Sequence, residues 1–245
     1  MKMKTNNKYE NQKQFWEYAG TIGYGKAIFA NPTVERHIIE KQWRLAIETA
    51  REIGVDDGAR VLELGCGDGE FANNVLTRIY KSIDAYDVAG CAIESAKTHD
   101  KSGKVNFAVR DVTDISYTKG DSWDCAFLIG FLHHVKDFTP EIVARLAEVC
   151  PKVVVLDPNG DNLIRKFLEL TPSYRRAGED SFKLKKLIKI FEDNGYKATV
   201  VKRTTLVPSM LPEGLFGFVK WIEGIAESNC VLSRLCSSYV IGFER

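Results

Sequence analysis

The chain has 245 residues, 44% hydrophobic and 27% charged, with a formal net charge of +1. This length suits one large domain, or one domain with a cap, whose core needs no disulfides to stabilise it. The near-neutral charge argues against a nucleic-acid-binding protein, which usually carries a basic patch or stripe. No apolar run approaches the ~18 residues of a membrane-spanning helix, so we predict no transmembrane segment.

The six cysteines form no CxxC pair and lie mostly in apolar or strand-like runs. That usage is typical of reduced thiols in the core of a cytoplasmic protein, and we assign no metal ligands. The polar N-terminus, MKMKTNNKYENQKQ, lacks the apolar core of a secretory signal. We therefore predict a cytoplasmic location.

The first part of the chain predicts a helical cap over residues 1–55. Residues 8–19 favour a short helix that presents aromatic side chains, including Tyr18, and a glycine-rich link containing Tyr24 follows. Residues 33–53 have apolar positions at helical spacing along one side, which predicts a long amphipathic helix.

Strand-like and helix-like runs then alternate. The strand-like runs are 59–64, 82–88, 104–109, 123–129 and 152–157, and the helix-like runs are 70–79, 90–98, 138–150 and 181–194. Repeated strand–helix units predict a parallel sheet with helices on both faces.

The end of the chain departs from this alternation. Residues 197–207 and 238–243 both resemble strands, and no ordinary helical crossover joins them. An antiparallel pair that closes one edge of a parallel sheet explains this pattern. Two apolar insertions remain, 160–180 and 208–236, and we predict that they act as lids over a substrate.

The stretch Val61–Phe71 carries the clearest functional signal. A buried strand with Glu63 near its end is followed by glycines at every second position, and then by a run that begins a helix. Glu70 occupies the place of the third glycine of a dinucleotide fingerprint, and no Gly-Lys-Ser/Thr follows as in a phosphate-binding loop. A carboxylate at Glu63 would repel a pyrophosphate but suits a ligand that carries a cationic amine. These departures disfavour a nicotinamide-dependent oxidoreductase.

Glu63-Leu-Gly65-Cys-Gly67-Asp-Gly69 resembles the E/DxGxGxG signature of the class I S-adenosylmethionine-dependent methyltransferases. The resemblance covers about residues 59–200 and is closest to small-molecule enzymes of the ubiquinone and menaquinone biosynthesis type. It implies S-adenosylmethionine as cofactor, with S-adenosylhomocysteine as product.

The resemblance also implies a fold and a division of the chain. The expected fold is α/β and Rossmann-like: a seven-stranded, mostly parallel sheet with an antiparallel last strand, helices on both faces, an N-terminal helical cap and apolar insertions. The single domain 1–245 is then divided into the cap at 1–55, a cofactor-binding core at 56–200, lid insertions at 160–180 and 208–236, and a final strand at 237–245.

Further acids stand where the family places them. Asp87, about 20 residues past the turn, is expected to hold both ribose hydroxyls, and Asp111 to lie near the adenine amino group with Val112 against the ring. Two alternatives stay open: Asp84 competes for the ribose, and Asp111 could instead cap a turn. The residues assigned to the cofactor are Glu63, Gly65, Cys66, Gly67, Gly69, Asp87, Val88, Asp111, Val112, Ile129 and Gly130.

His133 and His134 follow the fourth strand at its active end and are the candidate catalytic bases. The alternative is that they only fix the shape of the loop. Asn159, in the turn Asp157-Pro158-Asn159-Gly160, either bonds a substrate oxygen or makes the turn that its sequence favours. The chain lacks the NPPY or DPPY run of the adenine and glutamine N-methyltransferases, which argues against DNA bases as acceptors.

The acceptor is less well specified. The apolar insertions and the N-terminal aromatics predict a small apolar, aromatic or lipid-like acceptor, and transient contact with a membrane stays open. The candidate substrate residues are Tyr18, Tyr24, Asn159, Arg175 and Trp221. The alternatives are a methyltransferase that acts on a protein or RNA, and a cofactor-binding protein without catalysis. The atom methylated and the oligomeric state stay undetermined.

Overall fold

The computed structural model describes residues 31–113, 121–170 and 180–245. The expectations for Tyr18, Tyr24, Arg175 and the helix at 8–19 fall outside these residues. The strands are β1 Arg60–Leu64, β2 Ser82–Asp87, β3 Val105–Val109, β4 Cys125–Ile129, β5 Lys152–Pro158, β6 Lys197–Thr204 and β7 Ser238–Glu244.

In the described part of the chain these seven strands form one sheet, in the order β3-β2-β1-β4-β5-β7-β6. The strands from β3 to β5 pair in parallel, and β7 pairs antiparallel with both β5 and β6. Strand β6 therefore points the same way as β5. The predicted mixed sheet with an antiparallel last strand is confirmed.

Helices cover both faces of this sheet. They are α1 Pro32–Glu52, α2 with a π-helical stretch at Ala72–Leu76 and a last turn at Thr77–Ile79, α3 Gly90–His99, α4 Thr139–Val149, α5 Leu163–Leu168, α6 Leu184–Glu192 and α7 Phe216–Ser228. Helix α1 begins after Asn31, whose side chain accepts a hydrogen bond from the Val34 N–H in the manner of an N-cap. It packs against β5, β6 and β7.

Side-chain alternation along the strands divides the core into two layers. Val61 belongs to the layer under α1, α2 and α3, and Leu62 belongs to the layer under α4 and α6. Both side chains are fully buried, as a parallel sheet covered on both faces requires. The same alternation decides which acids at the strand ends face the same ligand.

Element boundaries differ from the expected ones by a few residues. Strand β6 ends at Thr204 rather than 207 because Thr205 adopts a positive φ of 68°, which turns the chain away from the sheet. Helix α6 covers only Leu184–Glu192 within the expected 181–194, and Gly195 follows it with a φ of 83°. Both insertions contain helices, α5 and α7.

Candidate functional site

The glycine turn after β1 is left-handed at each of its glycines, with φ of 72° at Gly65, 55° at Gly67 and 75° at Gly69. A Cβ on Gly65 would lie 2.2 Å from the ring of Phe131, and one on Gly69 would lie 2.7 Å from Cβ of Ala96. Two of the three glycines are therefore needed both for backbone conformation and for close packing.

The turn is bound to the end of β2. The backbone N–H groups of Gly65 and Cys66 both donate to the carbonyl of Tyr86, at 2.8 and 3.1 Å. The Asp87 carboxylate accepts from the Gly67 N–H through Oδ2 and from the Ala89 N–H through Oδ1, each at 2.9 Å. Each carboxylate oxygen can accept more than one hydrogen bond, so these two bonds do not exclude a further donor.

Glu63 is a buried carboxylate beside this turn, with only 2% of its surface exposed. It accepts a hydrogen bond from the Ala72 backbone, but among the described residues no donor reaches its Oε2. Burial raises the pKa of Glu63 well above its usual value, and the nearby Asp87 and Asp68 raise it further. A buried acid in this state is stabilised by a ligand that brings a cation.

The end of β4 lies beside the turn, because β4 pairs in parallel with β1. Gly130 has a φ of 63°, and no described atom comes within 4 Å of the position that its Cβ would take. Ile129, partly buried, precedes it. Val88, also partly buried, follows Asp87 at the same edge of the sheet. An orphaned carboxylate oxygen, a glycine turn and a strand-end acid together fit a cofactor with an amine and vicinal hydroxyls.

The thiol of Cys66 is not a reactive group. It is 6% exposed, and burial together with the carboxylates of Glu63 and Asp87 raises its pKa well above the usual value. Its contribution to the site is therefore its backbone in the turn.

Asp84, the competitor for the ribose, has a structural role. Its Oδ2 accepts from Trp123 Nε1 at 2.8 Å and from Arg60 Nη2 at 2.9 Å, and its Oδ1 accepts from Asn106 Nδ2 at 2.7 Å. It lies on the α4 side of the sheet with Trp123, whereas Asp87 alternates to the opposite side. Asp84 is therefore set aside as a ligand of the ribose.

Asp111 makes the turn that was weighed as its alternative role. Its Oδ1 accepts from the backbone N–H and the hydroxyl of Thr113, at 3.0 and 2.7 Å. Val112 is 4% exposed and belongs to the core layer under α4, which leaves little of its surface for an adenine ring. Contact of the adenine with Asp111 and with Val112 stays a prediction.

His133 and His134 lie in a 3₁₀ turn, Leu132–His134, directly after β4. His133 is 5% exposed, and its Nδ1 lies 2.8 Å from Oδ1 of the fully buried Asp157 at the end of β5. The tautomer of His133 that carries its proton on Nδ1 donates a hydrogen bond to Asp157 across this distance. The ring of His134, which is only partly buried, lies against that of His133, with centroids 3.8 Å apart.

Asn159 makes the turn that its sequence favours. It is 1% exposed, its Nδ2 donates to the carbonyl of Cys236 at 2.8 Å, and its Oδ1 accepts from the Asp161 N–H at 3.0 Å. These bonds hold the turn, and a further bond from Asn159 to a substrate oxygen stays a prediction. Trp221 lies on α7 with 65% of its surface exposed.

Sequence reasoning missed two contributors. Asp157 was considered only as part of a turn, yet it is the partner of His133. Its signal was available, because an acid ending β5 lies next to the end of β4 in a parallel sheet, and Ile129 pairs with Leu156. Phe131, whose ring covers Gly65, gave no such signal. The described residues contain no cluster of three or more acidic, histidine or cysteine side chains able to hold a metal.

Known proteins resemble the part of the chain that carries the glycine turn and the strand-end acids. Residues 36–201 match a family model described as a methyltransferase domain. A ubiquinone biosynthesis O-methyltransferase of Xanthomonas oryzae pv. oryzae (strain PXO99A) is 31% identical over 118 residues, which cover 47% of this chain and 46% of that protein. The chain thus spans less than half the length of this curated relative.

Solved structures share the fold over most of the chain. Magnesium protoporphyrin IX methyltransferase from Synechocystis PCC 6803, with bound SAH, has a TM-score of 0.63 at 15% identity and covers 97% of this chain and 96% of its own. The [4+2]-cyclase SpnF has a TM-score of 0.58 at 15% identity, covering 83% and 80%. Since one neighbour is named a methyltransferase and the other a cyclase, the fold alone does not decide the reaction.

Proposed function

Because this chain belongs to the methyltransferase domain family, we propose that it transfers a methyl group from S-adenosylmethionine to a small apolar acceptor. One observation carries the proposal: the buried Glu63 carboxylate has an oxygen that no donor reaches among the described residues, beside a glycine turn. A carboxylate left in this state costs stability unless a cation meets it. The family's cofactor carries that cation.

Each end of the cofactor has a matching group in the chain. Glu63 meets the amine, the Gly65–Gly69 turn lets the backbone approach closely, and Asp87 accepts from the ribose hydroxyls. Asp87 is already fixed by the Gly67 and Ala89 N–H groups, so it needs little reorganisation to bind. When bound, S-adenosylmethionine supplies a methyl group activated by a sulfonium cation.

The protein's part in the reaction is to orient the acceptor, exclude water and, for a protonated acceptor, remove a proton. Exposure separates the two histidines. His133 is almost completely buried and paired with Asp157, whereas His134 reaches the surface of the same turn. We assign His134 as the base and His133 with Asp157 as the pair that positions it.

The acceptor class follows from what surrounds this edge of the sheet. The insertions 160–180 and 208–236 follow β5 and β6, which point the same way, so both begin at the carboxyl edge where the glycine turn lies. Both are rich in apolar side chains. By analogy with relatives named ubiquinone biosynthesis O-methyltransferases, an oxygen atom of an apolar molecule is the proposed acceptor.

Calorimetry on the purified chain tests the cofactor assignment first. S-adenosylhomocysteine is expected to bind and NADH is not; binding of NADH instead would overturn the proposal. Release of S-adenosylhomocysteine from S-adenosylmethionine is then measured with small phenols, with a protein mixture and with RNA. Turnover with the phenols alone supports the small-molecule acceptor, and turnover with protein or RNA alone contradicts it.

A further inference from the structure

Exposed large apolar side chains are concentrated in the two insertions. The described residues contain twelve such side chains; two lie in 160–180, eight in 208–236, and the others are Val109 and Val201. Soluble proteins scatter such residues singly, and a concentration of them marks an interaction surface.

Helix α7 packs some apolar side chains, such as Phe216 and Val219, against the cluster around Val34, but it also exposes large apolar side chains. Glu223 is 1% exposed and sits on the protein side of the helix, whereas Phe218 and Trp221 are 63% and 65% exposed on the outside. Helices at a protein surface normally bury their apolar side and expose their charges. The orientation of α7 therefore needs specific partners for its acids.

Helix α1 and the turn that follows β6 provide those partners. The Glu223 carboxylate accepts from His37 Nε2 at 2.7 Å, from Lys41 Nζ at 2.6 Å and from the backbone N–H of Leu206 at 2.7 Å. Glu227 accepts from the Thr205 N–H at 2.8 Å and lies 2.7 Å from Lys41 Nζ. Both acids of α7 thus have hydrogen-bond and ion-pair partners on its inner side.

The outer side is apolar and basic. Phe218, Trp221 and Ile225 are spaced as one helical stripe, with the first two rings 6.4 Å apart, and the chain continues with Val231, Leu232 and Leu235 exposed. The charged side chains exposed among the described residues 214–236 are Lys220 and Arg234, so this surface carries positive charge only. We call residues 216–235 with these outward side chains the α7 surface.

We propose that the α7 surface binds the interface of a phospholipid bilayer that contains anionic lipid. Phe and Trp side chains suit the boundary between headgroups and acyl chains, and Lys220 and Arg234 complement the lipid phosphates. The helix has 13 residues and lies along the protein, so it enters the interface without crossing it. Among the described residues, no helix combines the length and hydropathy needed to span a bilayer.

The segment that carries the α7 surface begins at the same edge of the sheet as the candidate site. Segment 208–236 leaves the sheet from β6 at the carboxyl edge, the edge that carries the glycine turn. A protein docked through this surface would hold that edge close to molecules dissolved in the bilayer. Bilayer binding goes beyond the proposed methyl transfer and does not depend on it.

Flotation with vesicles tests the proposal on the full chain. The protein is mixed with phosphatidylcholine vesicles, alone or containing phosphatidylglycerol, and recovery in the floating fraction is measured. We expect stronger binding to the anionic vesicles. Phe218→Ser with Ile225→Ser should lower the partition coefficient at least about tenfold on both vesicle types.

Two further variants separate charge from apolar contact. Lys220→Gln with Arg234→Gln should lower binding about tenfold or more on anionic vesicles only. Val201→Ser removes an exposed apolar side chain from β6 and should leave binding unchanged. Thermal melting checks that each variant is folded.

Two results would overturn the proposal. One is that the folded parent protein floats with neither vesicle type. The other is that light scattering shows a dimer that Phe218→Ser with Ile225→Ser dissociates, since the α7 surface would then be a contact between two copies of the chain.

Discussion

The backbone N–H of Gly67 donates to Oδ2 of Asp87 across 2.9 Å, joining the turn after β1 to the end of β2. The same Asp87 carboxylate is one cause of the raised pKa of Glu63. Two acids on neighbouring strands therefore lie on one side of the sheet: Asp87 accepts a hydrogen bond from the turn, and Glu63 is buried beside it. A cationic ligand between them relieves their repulsion, and this makes Glu63 the residue to test first.

Glu63→Gln should weaken binding of S-adenosylhomocysteine at least about thirtyfold, because it removes the buried partner of a cationic amine. Titration calorimetry measures the loss. Glu70→Gln is the matched control: it makes the same chemical change seven residues later, on an exposed side chain at the start of α2. Affinity that falls equally in both variants would remove Glu63 from its assigned role.

The same substitution should stabilise the protein without ligand. A pKa raised by folding means that the native state binds the proton more tightly than the unfolded state. The stability that the protonated Glu63 contributes is therefore complete below the unfolded pKa and is lost as pH rises through the folded pKa. Glu63→Gln removes that loss, so we expect a melting temperature about 2–4 °C above the parent's in alkaline buffer and little difference in acid.

Gly69 in the turn and Gly130 after β4 should differ in their tolerance of a side chain. Gly69→Ala introduces a Cβ 2.7 Å from Ala96 at a φ of 75°, whereas Gly130→Ala has the same kind of backbone with no described atom within 4 Å. Backbone strain costs about 1–2 kcal/mol in either variant, and overpacking adds about 1–3 kcal/mol at Gly69 alone. Urea denaturation measures both; equal losses would contradict the packing role of Gly69.

The sheet and the glycine turn could be predicted because their signals are local. Alternating apolar runs, the spacing of Gly65, Gly67 and Gly69, and an acid ending the second strand all lie in short stretches of sequence. Alternation also separates Asp84 from Asp87, since residues three apart on a strand face opposite sides. The sequence alone therefore shows that Asp84 and Asp87 face opposite sides of the sheet.

The orientation of α7 could not be predicted in this way. Its acids are spaced four residues apart in an apolar helix, a pattern that normally places them in solvent. Their partners His37 and Lys41 lie more than 180 residues earlier in the chain. Only the packing of α1 against α7 brings these groups together, and packing of distant elements leaves no local pattern. The same holds for Phe131 over Gly65.

The histidine turn gives a kinetic prediction. His134→Gln should lower kcat about a hundredfold or more, as loss of a general base does, and should remove the fall in rate at acidic pH that a protonatable base produces. The Kd for S-adenosylhomocysteine should change by less than about twofold, which corresponds to a binding free-energy change smaller than RT. Steady-state kinetics across pH and calorimetry provide both readings. Weaker cofactor binding with an unchanged pH profile would instead place His134 in the cofactor site.

Asp157→Ala should lower the free energy of unfolding. It leaves Nδ1 of the buried His133 without its acceptor, which costs about 1–3 kcal/mol. Asp161→Ala is a control at the same end of β5, since Asp161 is exposed and its Oδ2 only accepts from the Leu184 N–H. If urea denaturation shows no difference between the two, the His133–Asp157 pair does not hold the turn.

The attachment of α7 should depend on pH. Burial alone would raise the pKa of Glu223, but hydrogen bonds from Lys41, the Val207 N–H and His37 outweigh it, so the pKa lies below its usual value. A pKa depressed by folding contributes stability that is complete above the unfolded pKa and is lost as pH falls through the folded pKa. Glu223→Gln should therefore cost about 3 kcal/mol of folding stability at neutral pH, as expected when a buried ion pair loses one partner. This cost should shrink as the pH approaches the folded pKa of Glu223.

Urea denaturation at a series of pH values measures the cost of Glu223→Gln. Glu213→Gln is the control, because the exposed Glu213 only accepts from the Thr33 hydroxyl. A cost that stays constant with pH would show that the side chain of Glu223 attaches α7 through its packing and not through its charge.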